Sequence, residues 1–471
     1  MRRVQTPNWL TELDGILRQN GINALAVGGL VRNSLMGLAP SDIDICADVP
    51  PERVMAALKH DSRIKVIPKA IEFGTIEIHF TSKDGRHICE YTVFRKEAYR
   101  EGGSHRPETV VFSSDVGEDA IRRDFTVNAM YCPLGGGEVI DPTGGMADLE
   151  AKKIRATSKD PSVILSDDGL RIIRMVRFAC ELGFDIDAAT FEAAKQRITY
   201  LADIAKERIR AELDKILLSD IRYGIKHKDE PAPLRGLKML KELDAFKYIL
   251  PRLLEGEGVV QSSAYHVYDV FEHNIRACAA AAPVLEVRLA ALLHDVAKPQ
   301  AVKGSGKMYN HEVMGAQAAV LMLGQAGLKY PNDVVDRVTT LIRWHMYDLD
   351  GKTSKNKLRL KFALLGEEAA TQLIELREAD VKGSGKKAQS DTAQKWRRIL
   401  QEMIDDGGMI SEADLQIDGH AIMRLAGIGP GKDVKRIKRA LYQKVVLEPD
   451  KNKRHVLEAM AARLAKSMGI I

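Results

Sequence analysis

"GGLVRNSLMGLAPSDIDI", residues 28–45, joins a glycine pair and an arginine to two aspartates that flank one isoleucine. The run before it, "INALAV" (22–27), reads as a strand entering a glycine turn, and "LVRNSLMG" (30–37) as a short helix leaving it. Backbone N–H groups at such a helix start suit phosphate oxygens. In a strand, residues i and i+2 point the same way, so Asp42 and Asp44 project together while Ile43 and Ile45 turn to the core. Two adjacent carboxylates repel unless cations sit between them. Two Mg²⁺ ions bridging a hydroxyl and a triphosphate supply that compensation.

Outward from this stretch, "TIEIHF" (75–80) and "ICEYTVF" (88–94) are further β-branched runs set between turn residues. The first 148 residues therefore read as a sheet domain. From "DDGLRIIRMVRFACEL" (167–182) onward, apolar residues recur every three or four positions, the spacing of amphipathic helices. The expected fold is α+β, a sheet domain followed by an all-α body. Glycine and polar punctuation near 260 and 390 divides the chain into 1–148, 149–260, 261–390 and 391–471. The 70 Lys+Arg and 65 Asp+Glu leave a net charge of only +5, so any polyanion-binding surface must be local. Five scattered cysteines without a CxxC pair fit a reducing cytoplasm. No run of 18 apolar residues exists, and a soluble protein without a membrane partner is expected.

Two further groups give the paired acids company. Glu90 lies on another expected strand, where a third carboxylate can join the pair. "IRRDFTVNAM" (121–130) places Arg122, Arg123, Asp124 and Asn128 within eight residues. Arginine forks phosphate oxygens, while Asp and Asn accept from and donate to ribose hydroxyls.

Together these motifs resemble the class II tRNA nucleotidyltransferases and the related bacterial poly(A) polymerases, of the polymerase-β-like nucleotidyltransferase superfamily. The GGxVRD…DxD signature appears as Gly28, Gly29, Arg32, Asp42 and Asp44, with Asn33 where the family has Asp. RRDFTxNA stands intact at 122–129, and DPxGGxxDL at 141–149. The resemblance implies that Asp42 and Asp44 are catalytic and hold Mg²⁺, and that Gly29, Arg32, Arg123, Asp124 and Asn128 bind the nucleotide; Glu90, from its strand position, is expected as an assisting catalytic carboxylate. It also maps the family's base-reading EDxxR element onto "DDGLR", with Asp168 and Arg171 in the matching places. Residues three apart on a helix share a face. Asp only accepts hydrogen bonds and Arg only donates. The pair thus matches the amino group and ring acceptor of cytosine or adenine and mismatches uracil and guanine. Arg174 and Arg177 continue the stripe, and the resemblance implies that they too approach the nucleotide. "ERIRAELDKILLSD" (207–220) resembles the family's neck-stiffening helix and is expected to be structural only.

The chain lacks the basic, aromatic segment that follows the first motif in poly(A) polymerases. Its "FRKEAYREGGSHRPETVVF" (94–112), with Arg100, Gly102, Gly103 and Arg106, supplies the flexible loop absent from CC-only enzymes. The expected activity is therefore addition of C, C and A to the tRNA 3′ end from CTP and ATP, with A-only or CC-only addition as alternatives.

Between 265 and 383 a second series resembles the HD phosphohydrolases. The resemblance implies a metal site of His273, His294, Asp295 and Asp380, with His311 and His345 where two-metal members have more ligands, holding Mg²⁺ or a transition metal. This opens a rival reading from another class, a metal-dependent phosphohydrolase acting on RNA ends. The tail places Lys432, Lys435, Arg436, Lys438 and Arg439 on one expected helix after a glycine turn, a cluster suited to tRNA phosphates.

Overall fold

The computed structural model describes residues 2–40, 42–99, 107–262, 265–385 and 391–470. The loop residues Arg100, Gly102, Gly103 and Arg106 lie outside these. Two compact units emerge, Met1–Pro251 and Arg252–Ile471.

The first unit is built on a six-stranded mixed sheet. Its strands are β1 (Leu25–Val27), β2 (Asp44–Ala47), β3 (Ile64–Ala70), β4 (Thr75–Ser82), β5 (Gly85–Val93) and β6 (Tyr131–Pro133), in the spatial order β3-β4-β5-β2-β1-β6. β2 and β5 run parallel, and the other neighbours antiparallel. Alternation decides the faces. Ile45, Tyr91 and Ile76 pair across three strands and are fully buried on one side. Asp44, Glu90 and Glu77 pair in the adjacent register and therefore occupy the other. Further along that second face, Cys46 and Val27 join Phe94, Ala120, Ala129 and Tyr131 in a core cluster. The acids thus stand at the open end of a packed surface. Ile43 is only half-buried, because the strand begins at Asp44 and leaves Asp42 just before it.

Gly28 makes the turn from β1 into α1 (Gly29–Leu35) with φ 71°. That left-handed conformation strains any residue with a Cβ, so glycine makes the turn that brings the chain past Asp44. Among the unit's other helices, those that bear on the site are α2 (Val116–Ile121), α3 (Pro161–Asp167), α4 (Leu170–Leu182) and α5 (Lys206–Leu217). α4 packs on α5 and is buried almost all round, which requires its arginines to be paired or to face a cavity.

The second unit is helical. Helices α6 (Val270–Ala280), α7 (Leu285–Leu293), α8 (Lys298–Ser305), α9 (His311–Leu323), α10 (Asn332–Trp344) and α11 (Glu367–Gly383) form one packed group. α12 (Lys432–Leu447) starts directly after the Gly427–Gly431 turn. Among the described residues no helix is long and apolar enough to cross a membrane. The architecture is α+β, a mixed-sheet head followed by helices.

Candidate functional site

A cleft of about 370 Å³ opens between the sheet and α4. It gathers the glycine pair, Arg32, Asp42, Asp44, Arg123, Asp124, Asn128, Asp168, Arg171, Arg174 and Arg177. Glu90 does not line it but is the cross-strand partner of Asp44. Nine basic and five acidic side chains face the cleft, an excess that favours a polyanion.

At the acidic end, burial and then the neighbouring Asp42 charge push the Asp44 carboxyl up, with Arg123 opposing. Burial and Asp44 do the same to Glu90. Asp42 is exposed over 80% of its side chain and meets Arg222 Nη2 at 3.3 Å. Asp42 and Asp44 offer an all-oxygen donor set on the cleft wall, with Glu90 paired to Asp44 across the strands, and such a set suits a hard divalent cation, which would offset the Asp42 charge that helps lift Asp44.

The arginines are held by a network. Asp119, fully buried on α2, accepts from Arg122 Nε (2.8 Å), Arg123 Nη2 (2.9 Å) and the Tyr131 hydroxyl (2.8 Å). Burial pushes this carboxyl up, but Arg123 and Arg122 outweigh it and bring it down to about 2. Asp124 accepts from Arg174 Nε at 2.9 Å and from Asn128 Nδ2 at 3.1 Å, and is likewise brought down to about 2 against burial by Arg174. Asn128 Oδ1 in turn accepts from Arg32 Nη1. The guanidinium carbons of Arg32, Arg174 and Arg177 lie 5.2, 5.3 and 4.1 Å from the Phe178 ring centroid, so one aromatic ring gathers three cations.

Asn33 finds its explanation in the same network. Fully buried, it accepts from Arg32 Nε (3.1 Å) and Nη2 (2.8 Å) and donates to the Ala39 carbonyl and the Tyr223 hydroxyl. A neutral amide thus orients Arg32 without neutralising it.

Asp168 departs from the expected helical pair. It precedes α4 in extended conformation (φ −146°, ψ 107°), and its Oδ1 accepts from Leu170 N at 3.0 Å. Its Oδ2 accepts from Arg208 Nη2 at 2.8 Å. Arg171 instead donates to the carbonyls of Ile164 (2.8 Å) and Arg122 (2.9 Å), with Asp167 at 3.6 Å. Asp168 and Arg171 share the cleft but not a helix face, because the chain breaks between α3 and α4.

In the helical unit, His273, His294, Asp295, His311, His345 and Asp380 converge. His273, His294 and Asp295 form one potential metal-ligand group and Asp295, His311 and His345 another, sharing Asp295. His273 Nε2 lies 3.1 Å from Asp380 Oδ1. His294, His311 and His345 each direct Nδ1 at the carbonyl three residues earlier, at 2.6–2.8 Å, and so present Nε2 inward. Both Asp295 oxygens are buried without a well-aligned hydrogen bond among the described residues, although Lys298 and four imidazoles surround them at 2.5–3.7 Å. Burial opposes the His294 imidazolium, yet Asp295 and Asp380 raise it to about 10. The carboxylates therefore demand a positive charge at the centre, and this donor set fits a divalent metal.

Three family descriptions match in chain order: "Poly A polymerase head domain" over residues 24–155, "Probable RNA and SrmB- binding site of polymerase A" over 183–227, and "HD domain" over 264–382. The CCA-adding enzyme of Bacillus pumilus is 34% identical over 265 residues, 55% of this chain and 62% of that one. The chain thus carries, in order, segments matching the poly(A) polymerase head, its RNA-binding segment and an HD domain, and it is similar to CCA-adding enzymes. It spans about half to three-fifths of the length of the first CCA-adding relatives it matches, 53% for that of Lactococcus lactis. The CC-adding tRNA nucleotidyltransferase of Thermus thermophilus aligns over 89% of both chains at 29% identity. A crystal structure of the Bacillus stearothermophilus CCA-adding enzyme in complex with CTP shares the fold, with TM-score 0.70 over 98% of both chains at 24% identity. Both the transferase head and the HD domain imply divalent-metal dependence.

Against that family background, the structure adds cleft residues that the sequence alone does not single out: Phe178, Glu181, Arg208, Lys215, Arg222 and Tyr223. Arg208 and Lys215 sit on α5, whose expected role was structural only, and Glu212 of the same helix meets Arg177 at 2.8 Å. His266 stands beside His273 with ring centroids 4.6 Å apart and is depressed to about 4, first by burial and then by His273 and Lys298.

Proposed function

We propose that this chain is a cytoplasmic, Mg²⁺-dependent enzyme that adds C, C and A to the 3′ end of tRNA from CTP and ATP. The observation that carries the reading is that Asp42 and Asp44 line the same cleft as Asp168 and Arg171. The first pair suits a metal-bound triphosphate and the second a base. Asp42 and Asp44, assisted by Glu90, would hold the Mg²⁺. When bound, the metal supplies Lewis-acid activation of the tRNA 3′-hydroxyl and neutralises charge on the departing pyrophosphate.

The chain's own groups do the rest. Arg32, Arg123 and Arg174 grip the triphosphate beside Gly29, with Asp124 and Asn128 keeping two of these arginines aimed. Arg177 extends the positive wall. Asp168 accepts from the exocyclic amino group of cytosine or adenine, and Arg171 uses N–H groups not bound to carbonyls to meet the ring nitrogen. Uracil and guanine present a carbonyl to the carboxylate and an N–H to the guanidinium, each mismatch costing about 1–3 kcal/mol. The boundaries 1–148, 149–260, 261–390 and 391–471 are kept as the functional division. In the last segment, the cationic side of α12 would hold tRNA phosphates.

CC-only addition is the second reading, because a CC-adding enzyme aligns over 89% of both chains. The HD cluster supports metal binding by His273, His294, Asp295 and Asp380, joined by His311 and His345. Its plausible chemistry is hydrolysis of a phosphoester at a damaged RNA end. One pair of variants tests the assignment. Asp42→Ala abolishes addition of both nucleotides while tRNA binding persists, and retained addition would contradict the reading. His294→Ala with Asp295→Ala leaves addition intact; loss of the principal activity there would favour the hydrolase.

A further inference from the structure

We propose that Arg208 is a specificity-determining positioning residue, holding the Asp168 carboxylate where it distinguishes the base. The inference rests on the reading that this cleft selects CTP and ATP.

Asp168 cannot rely on a helix for its orientation. It occupies the extended residue between α3 and α4, and the last torsion of an Asp side chain is soft. Two hydrogen bonds fix it. Leu170 N holds Oδ1 at 3.0 Å, and Arg208 Nη2 holds Oδ2 at 2.8 Å. A carboxylate has about four acceptor positions, so acceptor capacity remains for a base. Arg171, engaged with the Ile164 and Arg122 carbonyls, takes no part in this clamp.

The backbone is braced from the same side. A Cβ at Gly169 would lie 2.8 Å from the Tyr200 carbonyl oxygen, so the chain next to Asp168 is pressed onto the 3₁₀ turn Ile198–Asp203. That turn leads directly into α5, which carries Arg208 in its first turn. One continuous segment therefore supports the reading acid through both main chain and side chain.

Arg208 is also misplaced for a purely structural residue. A cation in the first turn opposes the helix dipole. Its Nη1 is buried without a hydrogen-bond partner among the described residues, although 38% of the side chain is exposed to the cleft. Such local conflicts gather at functional positions.

The consequence concerns selectivity more than rate. A wrong base is rejected because its carbonyl meets a carboxylate oxygen that cannot move aside. Freed from Arg208, the carboxylate swings away or takes a bridging water, and the penalty shrinks. The test uses the full chain with tRNA transcripts ending before C74 or after C75, measuring kcat and KM for CTP, ATP, UTP and GTP. Arg208→Ala is expected to lower kcat/KM for CTP and ATP about tenfold, mainly through KM, and to narrow discrimination against UTP and GTP about tenfold. Arg208→Lys, retaining charge and donor, recovers part of the discrimination. An equal drop for all four nucleotides, unchanged discrimination, or a Lys variant no better than Ala would overturn the inference. A wild-type chain without preference for CTP and ATP would instead overturn the functional reading, and this inference with it.

Discussion

Asp119→Asn removes the negative charge around which Arg122 and Arg123 are folded. In the native chain this carboxyl, fully buried, is brought to about 2 from an ordinary 3.8. At 1.36 kcal/mol per pH unit, the ionised group contributes about 2 kcal/mol of stability at pH 7. Because the folded value is depressed, that stability is present above about pH 4 and is lost as pH falls towards 2, with roughly 1 kcal/mol gone by pH 3. The variant also leaves two guanidiniums, only 15% and 17% exposed, without their common acceptor charge. We expect a loss of about 2–3 kcal/mol at pH 7. The assay is amide exchange of peptides spanning 116–133 under increasing urea, with wild type and variant compared at pH 7 and pH 3. Other titrating carboxylates cancel in the difference. The gap should shrink by roughly 1 kcal/mol at the lower pH. A gap below about 0.5 kcal/mol at pH 7, or one equal at both pH values, would refute the reasoning.

Asn33→Asp gives Arg32 a charged partner in place of a neutral one, so the KM for CTP should rise a few-fold with kcat less affected; a lower KM would contradict this role. His294→Ala with Asp295→Ala should strip bound divalent metal from the helical unit, read as metal-to-protein ratio by elemental analysis, and an unchanged ratio would exclude the Asp295-centred cluster as its site. Lys435→Glu with Arg439→Glu, both on the exposed side of α12, should weaken tRNA binding and flatten its salt dependence by about two in the log–log slope. An unchanged slope would place the RNA elsewhere.

The parts legible in the sequence were those decided by short-range spacing. The close spacing of Asp42 and Asp44 does put both on one cleft, although the strand begins only at Asp44 and leaves Asp42 before it, and Arg171, Arg174 and Arg177, three residues apart on α4, line the same cleft. The same logic failed at Asp168, where the step from 168 to 171 looks helical but the chain turns at Gly169 against Tyr200. Groups brought in from far along the chain left no local mark. Tyr223 reaches Asn33 across 190 positions and Arg208 reaches Asp168 across 40, and neither spacing carries a periodic signal. Phe178 reads as one more apolar residue of α4 until three guanidiniums are seen around it. The HD ligands were named by their order, but the backbone carbonyls that aim three of their rings appear only in the fold.

If one cleft chooses C and A without a template and joins them to tRNA, purified chain suffices to do so. The direct measurement gives purified chain transcripts ending before C74 or after C75, with CTP and ATP supplied separately and together. We expect two C additions with CTP alone on the first transcript, one A with ATP alone on the second, and the full CCA end with both. Extension that stops after C75 with both nucleotides present, or none on the first transcript, would contradict this reading.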